Sequence, residues 1–384
     1  MVAAVRRGVA MREVARRFGV ALATVQLWVA RADGQRLDRA DVSGRPPGRR
    51  RPVNRSSPDL EDLVLTLRRE LKDTSDLGEF GAQAIHAALQ ARGAHPLPSV
   101  RTLGRILERR GALDGRHRVR RPAPPPGWDL PAVAAGKAEL DSFDIVEGLV
   151  TKDGPQVEVL NVTALHGGLV NSWPMTTVTA KVAVAALVEH WRQVGLPAHA
   201  QFDNDTIFQG AHQHPDVVGR VTRLCLSLGV VPVFAPPREP GFQAAIENYN
   251  GRWQAKVWAR FTHPSLEGLQ AQSAQYVAAS RVRAAARIEA APPRRPFPED
   301  WALDLQARPH GRIIYLRRTG AAGGVEFLGR HFEVAASWPH RLVRAEVNLD
   351  AGHIRFYALR RRDPTRQPLL REVAYALPRR RFTE

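Results

Sequence analysis

The sequence has almost no cysteine and no long apolar run. Cys225 is the only cysteine among 384 residues, which excludes an intramolecular disulfide and a cysteine-based zinc finger. No apolar run approaches the roughly 18 residues of a membrane span, and the first residues lack the apolar region of a secretory signal peptide. We therefore expect an intracellular protein without membrane association.

Acidic side chains are scarce relative to basic ones. Lys and Arg total 56 against 38 Asp and Glu, which gives a net charge of +18 and a pI near 11.2. This balance makes a polyanion the expected partner, although an anionic membrane surface would attract the same charge. The length indicates two to four domains, and 44% apolar residues are enough to build their cores.

Residues 1–35 predict a helix-turn-helix unit. Two runs with helical apolar spacing flank Gly19, which permits a tight turn, and Val25 lies on the inner face of the second run. The alternative is a plain helical hairpin. If the second helix enters the major groove of DNA, Thr24 and Gln26 would face the bases.

Two basic, Pro-rich stretches predict linkers, at residues 36–57 and 115–134. The arginines of the first resemble a segment that lies in a narrow minor groove. The alternative is a solvated tether that touches only phosphates. The arginines concerned are Arg45, Arg49, Arg50 and Arg51.

Residues 58–114 predict three helices and a second helix-turn-helix unit. Ser57 and Pro58 are typical of a helix start, and the apolar residues that follow have helical spacing. The third helix aligns Arg101, Arg105 and Arg109 at four-residue intervals, on a face that either contacts DNA or is merely solvated.

Three acidic residues stand in different local settings. Asp141 lies in the strand-like run ELDSFD, Asp203 ends another such run in FDNDTIF, and Glu247 lies on a helix in AAIENYN. Carboxylates that only folding can bring together are typical of a magnesium site. Singly, each is better explained as a salt-bridged, turn or surface residue. Asp144 is the alternative first ligand, because strand alternation places it on the face opposite Asp141.

Residues 135–290 resemble the catalytic core shared by DDE transposases of the bacterial insertion-sequence type and retroviral integrases. The motifs that carry the resemblance are ELDSFD, FDNDTIF and PPREPGFQAAIENYNGRW. It implies an RNase H-like fold and selects Asp141 over Asp144, so that Asp141, Asp203 and Glu247 would be catalytic and bind Mg²⁺, with Mn²⁺ able to substitute. Asp205 departs from the pattern, since relatives usually have Gly there.

The resemblance implies a DNA transposase that binds the ends of a mobile element, cleaves them and joins them to target DNA. Its partners would be double-stranded DNA and further copies of the chain, with accessory transposition proteins as additional candidates, in the cytoplasm and nucleoid of a bacterium. The alternatives are a non-catalytic DNA-binding regulator or inactive transposase relic, and a metal-dependent nuclease without strand transfer.

The helix that carries Glu247 also has a basic face. Asn248, Arg252, Lys256 and Arg260 recur at four-residue intervals beside the acid. We expect this ladder to meet the phosphates of bound DNA, although such ladders are often only solvated.

The C-terminal part predicts a linker at 291–308 and a small β-domain at 309–384. Apolar and polar residues alternate between glycine turns there, and the segment resembles the SH3-like barrel of integrase-type transposases. Its arginines, Arg317 and Arg318 among them, favour nucleic acid over a packing role. The predicted protein is thus multidomain: N-terminal all-α helix-turn-helix domains, an α/β RNase H-like core with a mixed sheet, and a C-terminal SH3-like β-barrel.

Overall fold

The computed structural model describes residues 1–40, 56–113, 125–151, 154, 156–211, 214–239 and 241–383. The chain divides into two compact units, residues 1–61 and residues 62–384. The predicted minor-groove residues Arg45, Arg49, Arg50 and Arg51 lie outside the described residues, as do large parts of both predicted basic linkers. Within the described ranges, no helix is long and apolar enough to cross a membrane.

The N-terminal unit is helical, as its apolar spacing predicts. Its helices are α1 (Val2–Arg6), α2 (Met11–Phe18) and α3 (Leu22–Arg31). Gly19 ends α2 with a φ of +62°, which glycine adopts without strain, and Val14 and Val25 are fully buried between the helices. The helical hairpin is therefore present, while its DNA-binding role stays a prediction.

Three more helices precede the sheet. They are α4 (Pro58–Thr74), α5 (Ala82–Ala91) and α6 (Val100–Arg109). Their apolar faces bury Leu67, Ile85 and Leu103 completely. Ser99 caps α6 by accepting a hydrogen bond from the Thr102 backbone amide at 3.2 Å.

A nine-stranded sheet forms the centre of the larger unit. Its first five strands along the chain are β1 (Leu140–Val150), β2 (Gln156–Ala164), β3 (Val170–Met175), β4 (His199–Phe202) and β5 (Val231–Phe234). They lie side by side in the order β5-β4-β1-β2-β3. Strands β1, β2 and β3 pair antiparallel, whereas β4 runs parallel to β1 and β5 parallel to β4. This is the predicted order, in which three strands are followed by alternating helix and strand.

Helices cover both faces of this sheet. Trp191 of α8 packs with Phe143 and Phe202 on one face, and Ile246 and Trp253 of α11 pack on the other. The helices of this part are α7 (Pro131–Ala134), α8 (Ala180–Val194), α9 (Thr206–Gln209), α10 (Arg220–Ser227), α11 (Ala244–Trp253), α12 (Leu266–Arg283) and α13 (Ala285–Glu289), with a π-helical segment, Gln254–Trp258, that continues α11.

The predicted linkers beside the core are partly packed against it. Trp128 and Val133, at the end of the 115–134 stretch, are buried with Leu140 and Phe242. The 291–308 stretch contacts the core through Arg295, which forms an isolated β-bridge with Leu196. These boundaries are therefore less modular than composition suggests.

The C-terminal strands are β6 (Arg312–Arg318), β7 (Gly324–Phe327), β8 (Arg330–Glu333), β9 (Leu342–Asn348), β10 (His353–Ala358) and β11 (Leu369–Ala374). Strand β6 pairs parallel with β5, and β9, β10 and β11 follow it in the same sheet. Phe234, Tyr315 and Phe327 stack in succession, at centroid distances of 5.1 and 4.7 Å. The prediction of an independent SH3-like barrel is thus corrected, because these strands continue the core sheet and share its apolar core.

This shared core makes a prediction about stability. Tyr315→Ala should cost about 3–5 kcal/mol, because it removes a buried aromatic ring between two others. Val282→Ala, at a side chain that is 77% exposed, should stay within about 0.5 kcal/mol. Denaturant unfolding measures both. Tyr315→Ala should also reduce hydrogen-exchange protection in β4 and β5; full protection there would show that the C-terminal strands fold independently.

Candidate active site

The pairing of β1 with β4 determines which acids meet. Ser142 lies opposite Gln201 in this parallel pair, and the Ser142 hydroxyl donates to the Gln201 side-chain oxygen at 3.2 Å. Successive side chains of a strand point to opposite faces. Two residues further along, the same register places Asp144 beside Asp203, on the face covered by α11.

The pKa of Asp144 is raised by burial and by the acids near it. Burial raises the pKa of its carboxyl to about 6, and the nearby charges of Asp203 and, less strongly, Glu247 add to the rise. The Asn250 side-chain amide donates to Asp144 at 2.6 Å, which partly opposes the shift. Asn161 in turn donates to Asn250 at 2.9 Å. Helix α11 therefore positions Asp144 and brings Glu247 to the same side of the sheet.

Asp203 lies where β4 ends. Burial raises the pKa of its carboxyl, and the charges of Asp205 and Glu147 raise it further, while a hydrogen bond from the Asp205 backbone amide at 3.0 Å lowers it. The Asp205 carboxylate caps α9 by accepting from the Ile207 amide at 2.7 Å. The acid that replaces the usual Gly thus has a capping role and also adds negative charge near Asp203.

Asp141 lies on the opposite face of β1 and is completely buried. Arg294 forms an ion pair with it and donates to both of its carboxylate oxygens, and the Trp191 indole donates to the same carboxylate at 3.1 Å. Asp141 therefore holds the segment after α13 against the sheet, away from Asp203. This corrects its choice as catalytic residue and metal ligand: the motif contains two aspartates three residues apart, and strand alternation assigns them opposite faces.

Two residues of this neighbourhood were not selected from the sequence. Asp144 was set aside in favour of Asp141, although alternation along β1 was the signal that separated them. Glu147, an exposed residue at the irregularity between Val146 and Leu149, adds charge near Asp203. Nothing in the sequence indicated its proximity.

The acids do not form a closed metal site as they stand. Among the described residues, no group of three His, Cys, Asp or Glu side chains could hold a metal ion together. Glu247 is exposed in the first turn of α11, so its side chain has room to move. Burial and, second to it, repulsion from the neighbouring acids raise the pKa of Asp144. A divalent cation bound between carboxylates would relieve that repulsion. The chemistry of Asp144, Asp203 and Glu247 therefore fits Mg²⁺ or Mn²⁺.

The basic ladder beside Glu247 divides into two parts. Asn248 and Arg252 are exposed and line a cleft. Lys256 donates to the Gly78 carbonyl at 2.6 Å, and Arg260 donates to the Ser75 carbonyl at 2.6 Å. The prediction that all four meet DNA is thus corrected for Lys256 and Arg260, whose head groups hold the loop between α4 and α5.

The cleft has a volume of about 700 Å³ and lies on the acid-bearing face of the sheet. Ser142 and Gln201 form part of its wall, each two residues before an acid of the site. Its lining combines cationic, amide and acidic side chains with largely buried aromatic rings, among them Arg252, Gln243, Glu79 and Trp128. The exposed Asn248 and Arg252 are the groups that could contact the phosphates of a nucleic acid there.

The other predicted DNA contacts lie elsewhere in the chain. Arg101, Arg105 and Arg109 are exposed on α6, and on α3 Gln26 is exposed while Thr24 is half-buried. These assignments remain predictions.

No family model matches the sequence, and no curated protein matches it. Among solved structures, the chain is similar to one from the simian T-cell lymphotropic virus intasome in complex with the PP2A regulatory subunit B56 gamma. The identity is 15% and the TM-score 0.34, over 70% of this chain and 87% of that one.

Two further similarities are to integrase catalytic core domains. That of HTLV-2, in complex with magnesium, has 14% identity and a TM-score of 0.27, over 37% of this chain and 83% of that one. That of BIV has 16% identity and a TM-score of 0.27, over 37% and 80%. Likenesses this distant carry no weight for function, which has to be inferred from the site itself.

The raised pKa of Asp144 predicts how the stability of the protein depends on pH. The pKa of Asp144 is about 6 in the folded chain, above its ordinary value of 3.8. The protonated carboxyl therefore contributes stability that is fully present below about pH 3.8 and is lost as pH rises through 6. Asp144→Asn removes this loss. Without divalent ions, the variant should be more stable than the parent by about 3 kcal/mol at pH 8, and the gain should shrink towards pH 4. Denaturant titrations at both pH values test this, and a gain independent of pH would contradict it.

The Asp141–Arg294 ion pair on the opposite face of β1 gives a second prediction about stability. Asp141→Asn leaves the largely buried Arg294 without its counter-charge, and it should lower stability by about 3–5 kcal/mol at neutral pH. The same unfolding titration measures it. An unchanged midpoint would mean that the buried ion pair does not hold the two segments together.

Proposed function

We propose that this chain is a DNA transposase of the DDE type, a polynucleotidyl transferase whose acids are Asp144, Asp203 and Glu247. The observation that carries the proposal is the placement of Asp144, from β1, near acids from the end of β4 and from α11: Asn250 of α11 donates to Asp144 at 2.6 Å, and the charges of Asp203 and Glu247 both act on the Asp144 carboxyl. A fold that maintains such repulsion loses stability by it, which is typical of a functional site.

The protein's own groups prepare the carboxylates for a divalent cation. Asn250 fixes the orientation of Asp144, and the Asp205 backbone amide fixes Asp203. When bound, two Mg²⁺ ions would neutralise charge on the attacking and leaving oxygens of a phosphodiester. Because carboxylates must be deprotonated to bind a metal, the pKa of Asp144 near 6 weakens binding in acid.

The cleft would supply a path for the substrate, although its lining includes Ser142 and Gln201 and none of the three acids. Arg252 and Asn248 extend from α11 along its wall, where they would contact the phosphates that flank the reacting bond. The exposed arginines of α6, the N-terminal helices and the net charge of +18 support binding to double-stranded element ends. Water would attack the end phosphodiester first, and the freed 3′ hydroxyl would then attack target DNA.

The cellular setting is part of the same proposal. The chain would act as a homo-oligomer that joins two element ends in the cytoplasm and nucleoid of a bacterium, with accessory transposition proteins as further partners. Its basic charge supports contact with DNA.

One observation favours a second candidate function. The described acids do not assemble into a three-residue metal site, as is expected of a non-catalytic DNA-binding regulator or an inactive relic. An assay that separates binding from cleavage distinguishes the two.

We expect inverted repeats to flank the coding sequence of this protein. We expect the protein to cleave DNA that carries them, and to join the cut ends to a second duplex, in Mg²⁺ or Mn²⁺. Asp144→Asn and Asp203→Asn should each lower cleavage more than about 100-fold, since even outer-shell partners of a metal cost 10–100-fold. Both should bind the DNA nearly as well as the parent. Gel assays with labelled end DNA measure binding, cleavage and joining together.

Asp141→Asn is the matched control, an identical substitution on the same strand. Assayed below its unfolding temperature, it should retain cleavage. Loss of cleavage with Asp141→Asn but not with Asp144→Asn would reverse the assignment. Binding without cleavage by the parent would support the regulator, and cleavage without joining would support a nuclease.

A further inference from the structure

Arg317, on β6, is buried without an acidic partner. Its side chain belongs to a residue that is 6% exposed, and among the described residues no carboxylate pairs with it. Burial lowers its pKa to about 10, so that it is still charged at neutral pH. This position corrects the expectation that Arg317 contacts nucleic acid. A buried cation without a counter-charge lowers the stability of the fold. Another role must therefore explain the burial of Arg317.

The guanidinium instead connects three segments by hydrogen bonds. It donates to the Glu326 carbonyl at 3.1 Å and to the Leu316 carbonyl at 2.8 Å. It also donates to the Ala235 carbonyl at 3.3 Å and to the side-chain oxygen of Asn204 at 2.8 Å. The planar fork of an arginine can serve several acceptors at once, which a lysine cannot.

Asn204 is the residue after the acid that ends β4. Its side-chain amide donates to the Ala235 carbonyl at 2.6 Å, while its oxygen accepts from Arg317. The Ala235 amide donates to the Phe202 carbonyl at 2.9 Å. The Phe202 backbone before Asp203 and the Asn204 side chain after it are thus both hydrogen-bonded to Ala235, just after β5. Arg317 donates to Ala235 and to Asn204.

We propose that Arg317 is a positioning residue of the metal site, which fixes the orientation of Asp203 through Asn204. The inference rests on the proposed function, because it assumes that Asp203 binds a divalent cation. It makes the C-terminal strands part of the active site, since they supply the group that holds one of its ligands. Arg317 itself does not touch the metal or the substrate.

Mn²⁺ binding to the whole chain without DNA tests this directly, with free Mn²⁺ measured by electron paramagnetic resonance. Arg317→Lys should weaken Mn²⁺ binding about tenfold or more, as expected for a partner outside the ligand shell. Asn204→Ala should weaken it by a similar factor. The double variant should be little worse than either single one, because both act through one connection.

Cleavage kinetics supply the second readout. In Arg317→Lys, the Mg²⁺ concentration for half-maximal cleavage should rise while the rate at saturating Mg²⁺ recovers towards that of the parent. Arg318→Lys is the control, because the neighbouring side chain is exposed and paired with Glu239 on the other face of β6. It should leave the Mn²⁺ affinity of the chain without DNA unchanged.

The outcomes separate the two proposals. If Arg317→Lys lowers stability but leaves Mn²⁺ affinity unchanged, Arg317 has a structural role only and the inference is overturned. Should that variant fail to fold, unchanged affinity in Asn204→Ala overturns it equally. If the parent binds no Mn²⁺ with or without DNA, the metal site of the proposed function fails, and this inference fails with it.

Discussion

The parallel pairing of β1 with β4 is the constraint on which the site depends. The paired residues Ser142 and Gln201 lie two positions before Asp144 and Asp203, so the pairing directs both acids to the same part of the sheet. Hydrogen-bond donors act on each acid, from Asn250 to the Asp144 carboxylate and from the Asp205 amide to that of Asp203. In the proposed function, a divalent cation would relieve the remaining repulsion between them.

The same strand carries a third aspartate, Asp141, which is paired with a cation and does not lie near the other two acids. Asp141 faces an apolar layer, where an isolated carboxylate would be strongly disfavoured, and Arg294 and Trp191 satisfy it completely. One face of β1 thus carries a compensated acid that stabilises, and the other carries acids that repel one another. Three residues of sequence separate a structural role from a catalytic candidate.

Much of the fold follows from local pattern. The order of strands and helices from Leu140 to Trp253 agrees with alternation and helical spacing, because each element has its own period. The pairing of β6 with β5 could not be read in this way, since alternation shows that a strand exists but not which edge it joins. For the site, the motifs predict Asp203 and Glu247, and these assignments stay predictions. Asp144 lost to Asp141 because motif letters carry no information about faces.

Basic residues were harder to assign than acidic ones, for a physical reason. An arginine or lysine at helical spacing is compatible with solvent, with DNA and with carbonyl groups of the same chain, and the sequence does not distinguish these. Lys256 and Arg260 proved to hold the loop that follows α4. Gly78 in that loop has a φ of +57°, and a Cβ there would lie 2.9 Å from the Lys256 side chain, so the approach requires glycine.

The contact of Lys256 with this loop also affects how DNA would reach the acids. Lys256 belongs to the continuation of the helix that carries Glu247, so the loop joins α4 and α5 to the element that supplies an acid of the site. DNA held by the arginines of α6 would then approach the acids from a fixed support. On the other side of the sheet, Arg317 connects the C-terminal strands to Asn204, the residue after Asp203. The site is thus braced by segments before and after it in the chain, which explains why neither flanking region of the larger unit is a free module.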